Sequence, residues 1–153
     1  MKNNKGFSLV ELIIVIAIMA VLVGVLAPTY LQYVEKSKKS NAVSTVDSVI
    51  NALEIAAIDP EVNGEGWTTL TVVIDNSAAM TVTQAGGTTK MADAFKEIAG
   101  TDVKFKSAKW GGPVTIIATN GTNGKISLAY GAESNTTGNG EFKAYATSIT
   151  KIS

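Results

Sequence analysis

From Leu12 to Pro28 the chain carries seventeen consecutive residues without a formal charge, almost all of them apolar, and a single acid, Glu11, stands at their head. A run of this length matches the thickness of a bilayer when it is helical. A carboxylate is out of place there: translocon-type scales put it at roughly +2.5 to +3.5 kcal/mol at the bilayer centre, and such groups usually have a partner and a task. The stub before the run, Met1 to Gly6, holds Lys2 and Lys5 and no acid, which keeps that end on the cytoplasmic side.

A conventional secretory signal is the plainest alternative. Val25-Leu26-Ala27 offers small or short residues at the positions that signal peptidase inspects, but the cut would leave Pro28 directly behind it. A glutamate five residues after a Gly-Phe bond has no role in such a signal.

The amino acids that are missing narrow the chemistry. The chain has no cysteine, histidine or arginine, so thiol nucleophiles, imidazole bases, disulfides, zinc sites of the usual donors and bidentate phosphate forks are all excluded. No catalytic residues and no cofactor are expected. Thirteen lysines balance thirteen acids, and without residues 1–6 eleven lysines face thirteen acids, a side-chain charge of −2. Neither value points to nucleic-acid binding by bulk attraction.

Helical periodicity runs unbroken from Phe7 to about Ile58, some 78 Å at about 1.5 Å per residue. The half up to Leu26 is apolar all round, as suits surroundings of lipid or other helices. Beyond Tyr30 the pattern is amphipathic. Val43, Val46, Ile50, Leu53 and Ala57 recur at three- and four-residue steps, Ala42 and Val49 flank them, and Asp47, Asn51 and Glu54 take the opposite side. Lys36, Lys38 and Lys39 read as a solvated face. Pro28 removes the N–H that would bond the carbonyl of Gly24, the one glycine inside the helix, so Gly24 to Pro28 is its weakest stretch. Asp59-Pro60 ends it, because a residue before proline is pushed out of the α region.

Residues 61–153 change character to Thr, Gly, Asn and Val in short alternating runs. Strands are expected at Thr69–Asp75, Met80–Gln84, Val103–Trp110, Val114–Thr119, Lys125–Tyr130 and Glu141–Ile149, with a hairpin at Asn120–Gly124 and a helix at Met91–Ala99 whose face is Ala92, Phe95 and Ile98. Short strands alone cannot bury both faces of a sheet, so one face must pack on the stripe Val43–Ala57. The fold class is α+β: a long amino-terminal helix with an antiparallel sheet on its second half.

The segment with the basic stub, Gly6-Phe7, Glu11 five positions on, the apolar run and Pro28 closely resembles the processing signal of type IV pilins, over residues 1 to about 40. The resemblance implies the pilin fold, cleavage by prepilin peptidase between Gly6 and Phe7, and N-methylation of Phe7. The six-residue leader followed by Phe is similar to the type IVa subgroup. It divides the chain into a leader 1–6, a transmembrane or filament-core half 7–30, an amphipathic half 31–58 and a β-rich head 59–153. It implies a structural subunit, a single-pass precursor in the cytoplasmic membrane that an assembly platform and ATPase polymerise into an extracellular homopolymeric pilus serving adhesion, surface motility or aggregation. Glu11 would neutralise the Phe7 amine of a neighbouring subunit during assembly.

Two rivals remain at this point: a minor pilin or pseudopilin of type II secretion or DNA uptake, and a membrane-anchored domain that does not polymerise. Many pilins staple the head with a disulfide; this chain has none, and Phe142, Tyr145 and Ile149 are the candidate anchors of its tail. Glu133 and Glu141 flank a Gly/Asn/Thr loop but lack the Asp-rich frame of a Ca²⁺ site. Gly86-Gly87-Thr88-Thr89-Lys90 lacks the frame of a phosphate loop and reads as a turn before a helix.

Overall fold

The computed structural model describes residues 6–105, 113–121, 125–130 and 142. Its first and longest element is the helix α1, Leu9–Ala57, which passes through Gly24 and Pro28 without a break in its assignment. Two units divide the chain, Met1–Ser37 and Lys38–Ser153, so the two stretches of α1 belong to different surroundings. In the first unit every described residue up to Tyr33 is exposed, Leu, Ile and Val included. A cylinder of aliphatic side chains with nothing against it is the surface of a helix made for lipid or for other helices.

In the second unit α1 buries a stripe of Ala42, Val46, Val49, Ala52, Leu53, Ala56 and Ala57. The stripe is rotated from the one read in sequence: Val43 and Ile50 are only partly buried, while Ala52 and Ala56 join the core. The small Ala52 and Ala56 are covered in the core, while the bulkier Val43 and Ile50 pack at its flanks. On the outer side the hydroxyls of Ser44, Thr45 and Ser48 donate to the carbonyls of Ser40, Asn41 and Ser44, four residues back, which satisfies them within the helix. The helix ends as expected at Asp59-Pro60. Asp59 then organises the turn, its carboxylate accepting from the Glu61 N–H at 2.8 Å and its carbonyl from Val62 and Asn63.

Among the described residues four antiparallel strands follow: β1 Trp67–Ile74, β2 Thr81–Gly86, β3 Val114–Asn120 and β4 Ile126–Tyr130, in the spatial order β2-β1-β3-β4. Helix α2, Lys90–Ala99, lies between β2 and β3 in sequence. Alternation sets the two faces. Leu70, Val72 and Ile74 pair with Ala118, Ile116 and Val114 on the buried side, while Thr69, Thr71 and Val73 pair with Thr119, Ile117 and Thr115 on the other. The inward row joins the α1 stripe, with Trp67, Met91 and Phe95, in one core.

Where the sheet departs from expectation, packing decides. β2 starts one residue late and runs on to Gly86, because Trp67 opposite Gly86 is part of the ladder; Met80 is buried outside any strand. In α2, Met91 is in the core and Ile98 is 44% exposed, the reverse of what the helical face suggested for Ile98. Residues Val103 to Phe105 form no strand. The Phe105 N–H donates to the carbonyl of Asp75, the residue after β1, at 2.9 Å, while the Phe105 ring is buried against Phe142 with centroids 6.3 Å apart. Phe142 is thus a core anchor and is helical; Tyr145, Ile149 and the rest of the expected strand lie outside the described residues. The hairpin of β3 and β4 closes with Gly121 N–H donating to Lys125 C=O at 2.8 Å.

Leu53 is completely buried at the centre of the α1 stripe. Leu53→Ala should cost about 2–5 kcal/mol through lost burial and the cavity left behind. Thermal unfolding of the detergent-solubilised full chain measures this, and Asp47→Ala on the exposed side should leave the transition within about 0.5 kcal/mol of wild type.

Candidate assembly segment

Gly6, Phe7 and Ser8 precede the first turn of α1, and all three are exposed, Phe7 to 92%. The Gly6-Phe7 bond therefore stands in open, non-helical chain. Glu11 occupies the first turn of the helix. Its Oε2 accepts a hydrogen bond from the Ser8 backbone N–H at 2.9 Å, and the Ser8 carbonyl accepts from Leu12 N–H at 3.3 Å. Ser8 is thus the residue before the helix and Glu11 the third within it, half of a capping box, with the carboxylate also favoured by the positive end of the helix dipole. The motif Ser8-x-x-Glu11 is present in the sequence and was the signal for this role, overshadowed there by the cost of a charge beside an apolar run. Among the described residues Oε1 of Glu11 takes no hydrogen bond.

Gly24 has open space where a Cβ would stand and Pro28 is exposed within the same helix, so neither position is held by packing in its own unit. Within the head, a second cluster was not foreseen. Glu65 forms an ion pair with Lys90 at 2.6 Å and accepts a hydrogen bond from the Thr88 hydroxyl. The Gly86-Gly87 turn brings these groups together: a Cβ on Gly87, at φ 62°, would lie 2.3 Å from the Glu65 carbonyl oxygen, which only glycine avoids. The five-residue stretch read as a turn before a helix is that. Gln84 adds to it, its Oε1 accepting from Ala92 N–H at 2.9 Å and its Nε2 donating to Gly86 and Thr88 carbonyls. This cluster ties the loop after α1 to the start of α2. Among the described residues no group of three or more acids gathers as a cation site; Glu133 and Glu141 lie outside them.

Residues 1–27 match the family described as the prokaryotic N-terminal methylation motif. Over 88 residues the chain is 33% identical to the type IV major fimbrial protein FimA of Dichelobacter nodosus, covering 56% of each chain. It is 39% identical over 59 residues to a fimbrial protein of Pseudomonas aeruginosa, covering 39% of this chain and 38% of the relative. A third relative, the type IV wide pilus major component PilA4 of Thermus thermophilus, is 37% identical over 59 residues, 39% of this chain and 45% of its own. The chain spans about half the length, or less, of these relatives. No solved structure matches.

A long amino-terminal helix with a four-stranded antiparallel sheet behind it is the α+β architecture of a pilin. The methylation motif and the relatives named as type IV fimbrial proteins support a type IV pilin, a structural family that is not enzymatic.

The hydrogen bond with Lys90, then that from the Thr88 hydroxyl, with the Lys90 charge adding to them, hold the pKa of Glu65 below its ordinary 4.5, and Glu65 in turn raises that of Lys90 above 10.5. A depressed carboxylate adds stability above its unfolded value and loses it as pH falls through the lower folded value. A raised lysine adds stability below its unfolded value and loses it as pH rises through the higher folded one. Wild type should therefore soften on the acid side below about pH 4.5, and Glu65→Gln should show a shallower fall in melting temperature over that range.

Proposed function

We propose that this chain is the structural subunit of a type IV pilus, a major pilin held in the membrane as a single-pass precursor, cut between Gly6 and Phe7 and polymerised through its amino-terminal half. The observation that carries this reading is the methylation motif over residues 1–27 set on a helix whose apolar half is exposed on every side. Among the described residues one helix is long and apolar enough to cross a membrane. Its aliphatic side chains have no cover within their own unit, and either lipid or the same half of other subunits would supply it. The names of the relatives, major fimbrial proteins and a major pilus component, favour the major subunit.

Cleavage before Phe7 by a prepilin peptidase would unmask a positive amine, which N-methylation leaves charged. In a filament core of effective dielectric near 20, opposite charges about 4 Å apart attract by roughly 4 kcal/mol before desolvation. Glu11 is prepared for this partner: one carboxylate oxygen is held by its own Ser8 N–H and the other is left to accept from the Phe7 amine of a neighbour. Either charge alone in the core would be uncompensated, at a cost of about 3–5 kcal/mol, so the pair would set axial register as well as attraction. Gly24 and Pro28 would give the helix a place to unwind as it passes from bilayer to filament. An assembly platform and ATPase would drive that passage. The division into leader 1–6, core half 7–30, amphipathic half 31–58 and head 59–153 follows from the same reading.

Mass spectrometry of the mature amino terminus should find N-methylated Phe7. A chain starting at Met1 or Pro28 overturns the reading. Glu11→Gln should still be processed but should yield at least about tenfold fewer sheared surface filaments, since the lost pairing exceeds 1.4 kcal/mol per subunit; wild-type yield would remove Glu11 from assembly.

A further inference from the structure

We propose that Asn63 is a site of self-modification, where the backbone nitrogen of Gly64 attacks the Asn63 side-chain carbonyl and turns the amide into aspartate and isoaspartate. Asparagine is a thermolabile residue. A following glycine brings no Cβ to hinder the approach of its nitrogen. Two Asn-Gly pairs fall among the described residues, Asn63-Gly64 in the turn after α1 and Asn120-Gly121 at the end of β3. Asn41 and Asn51 stand in α1 before alanines, and Asn76 precedes Ser77.

Both pairs are exposed, so solvent access does not separate them; their ties do. Asn120 Nδ2 donates to the Trp67 carbonyl at 2.9 Å, and the Gly121 N–H donates to the Lys125 carbonyl at 2.8 Å. The nucleophile and the leaving amide are therefore both held. A Cβ on Gly121 would lie 2.6 Å from the Lys125 oxygen, so this strand end has little room to turn. At the other pair the backbone is fixed on either side of the reacting atoms. Asn63 N–H donates to the Asp59 carbonyl at 2.9 Å, and Glu65 N–H to the Val62 carbonyl at 3.3 Å. Between them, the Gly64 N–H and the Asn63 amide take no hydrogen bond among the described residues, and nothing lies within 4 Å of a Cβ placed on Gly64.

The atoms balance with water as the only co-reactant. The bond from Gly64 N to Asn63 Cγ forms, the Cγ–Nδ2 bond breaks, and Nδ2 leaves as ammonia with the proton that Gly64 N gives up. Water then opens the succinimide ring. Opening at Cγ restores the main chain as aspartate, whereas opening at the Asn63 backbone carbonyl carbon routes the chain through Cγ as isoaspartate. Either product adds one negative charge between Glu61 and Glu65 in sequence. Isoaspartate also puts an extra methylene into the main chain of the turn that Glu65 N–H and Val62 C=O close, next to a Val62 anchored in the core at 1% exposure. That turn then loosens, and with it the hold of Glu65 on Lys90.

The detergent-solubilised full chain, held at mildly alkaline pH in water enriched in heavy oxygen, provides the test. Peptide mapping reads solvent oxygen and isoaspartate at each asparagine, and keeps apart Asn123-Gly124 and Asn139-Gly140, which lie outside the described residues. In the folded chain Asn63 should convert about tenfold or more faster than Asn120, whose two hydrogen bonds have to open first. In concentrated urea the two rates should converge, because each asparagine then has only its glycine neighbour. Asn63→Gln, which would need a larger ring, should take up no oxygen at this position over the same period. Equal rates in the folded chain, a difference that persists in urea, uptake by Asn63→Gln equal to wild type, or aspartate without isoaspartate at Asn63 would overturn the inference.

Discussion

The head depends on the burial of one sheet face against one helix. Leu70, Val72 and Ile74 with Val114, Ile116 and Ala118 make an apolar surface that a small sheet cannot cover by itself. The stripe from Ala42 to Ala57 joins it in one core. The second stretch of α1 is therefore committed to the head. The first has no cover among the described residues of its own unit, and the proposed function rests on that exposure.

Around this core the remaining interactions fix the connections. Without cysteine, the chain relies on packing and polar ties. Phe105 stacks on Phe142, Asn120 Nδ2 donates to the Trp67 carbonyl at 2.9 Å, and Glu65, Thr88 and Lys90 close the loop between α1 and β1 onto the start of α2. The last of these is a surface ion pair and contributes little as charge alone. Its value lies in the Gly86-Gly87 turn beneath it, where backbone meets backbone too closely for any side chain.

Glu11 has one role in the structure and a second only in the proposed filament. In the isolated chain it caps the start of α1 by accepting from the Ser8 N–H. In the proposed filament the same carboxylate, already oriented by that bond, meets an amine created by proteolysis. Orientation in advance lowers the entropy lost on pairing.

The sequence by itself determined the long helix, its apolar and amphipathic halves, its end at Asp59-Pro60, the four described strands to within a few residues and the methylation-motif likeness over residues 1–27, because each is written in local periodicity, turn chemistry or a short motif. Only the tertiary structure decided the rotation of the buried stripe, with Ala52 and Ala56 in the core and Val43 and Ile50 at its flanks, that Ile98 faces out while Met91 faces in, that Phe105 enters the core without joining a strand, and that Glu65 finds Lys90. Those outcomes depend on how closely two surfaces approach and which distant residues they bring together. Side-chain volume across a contact carries that information, and periodicity along one strand or helix does not.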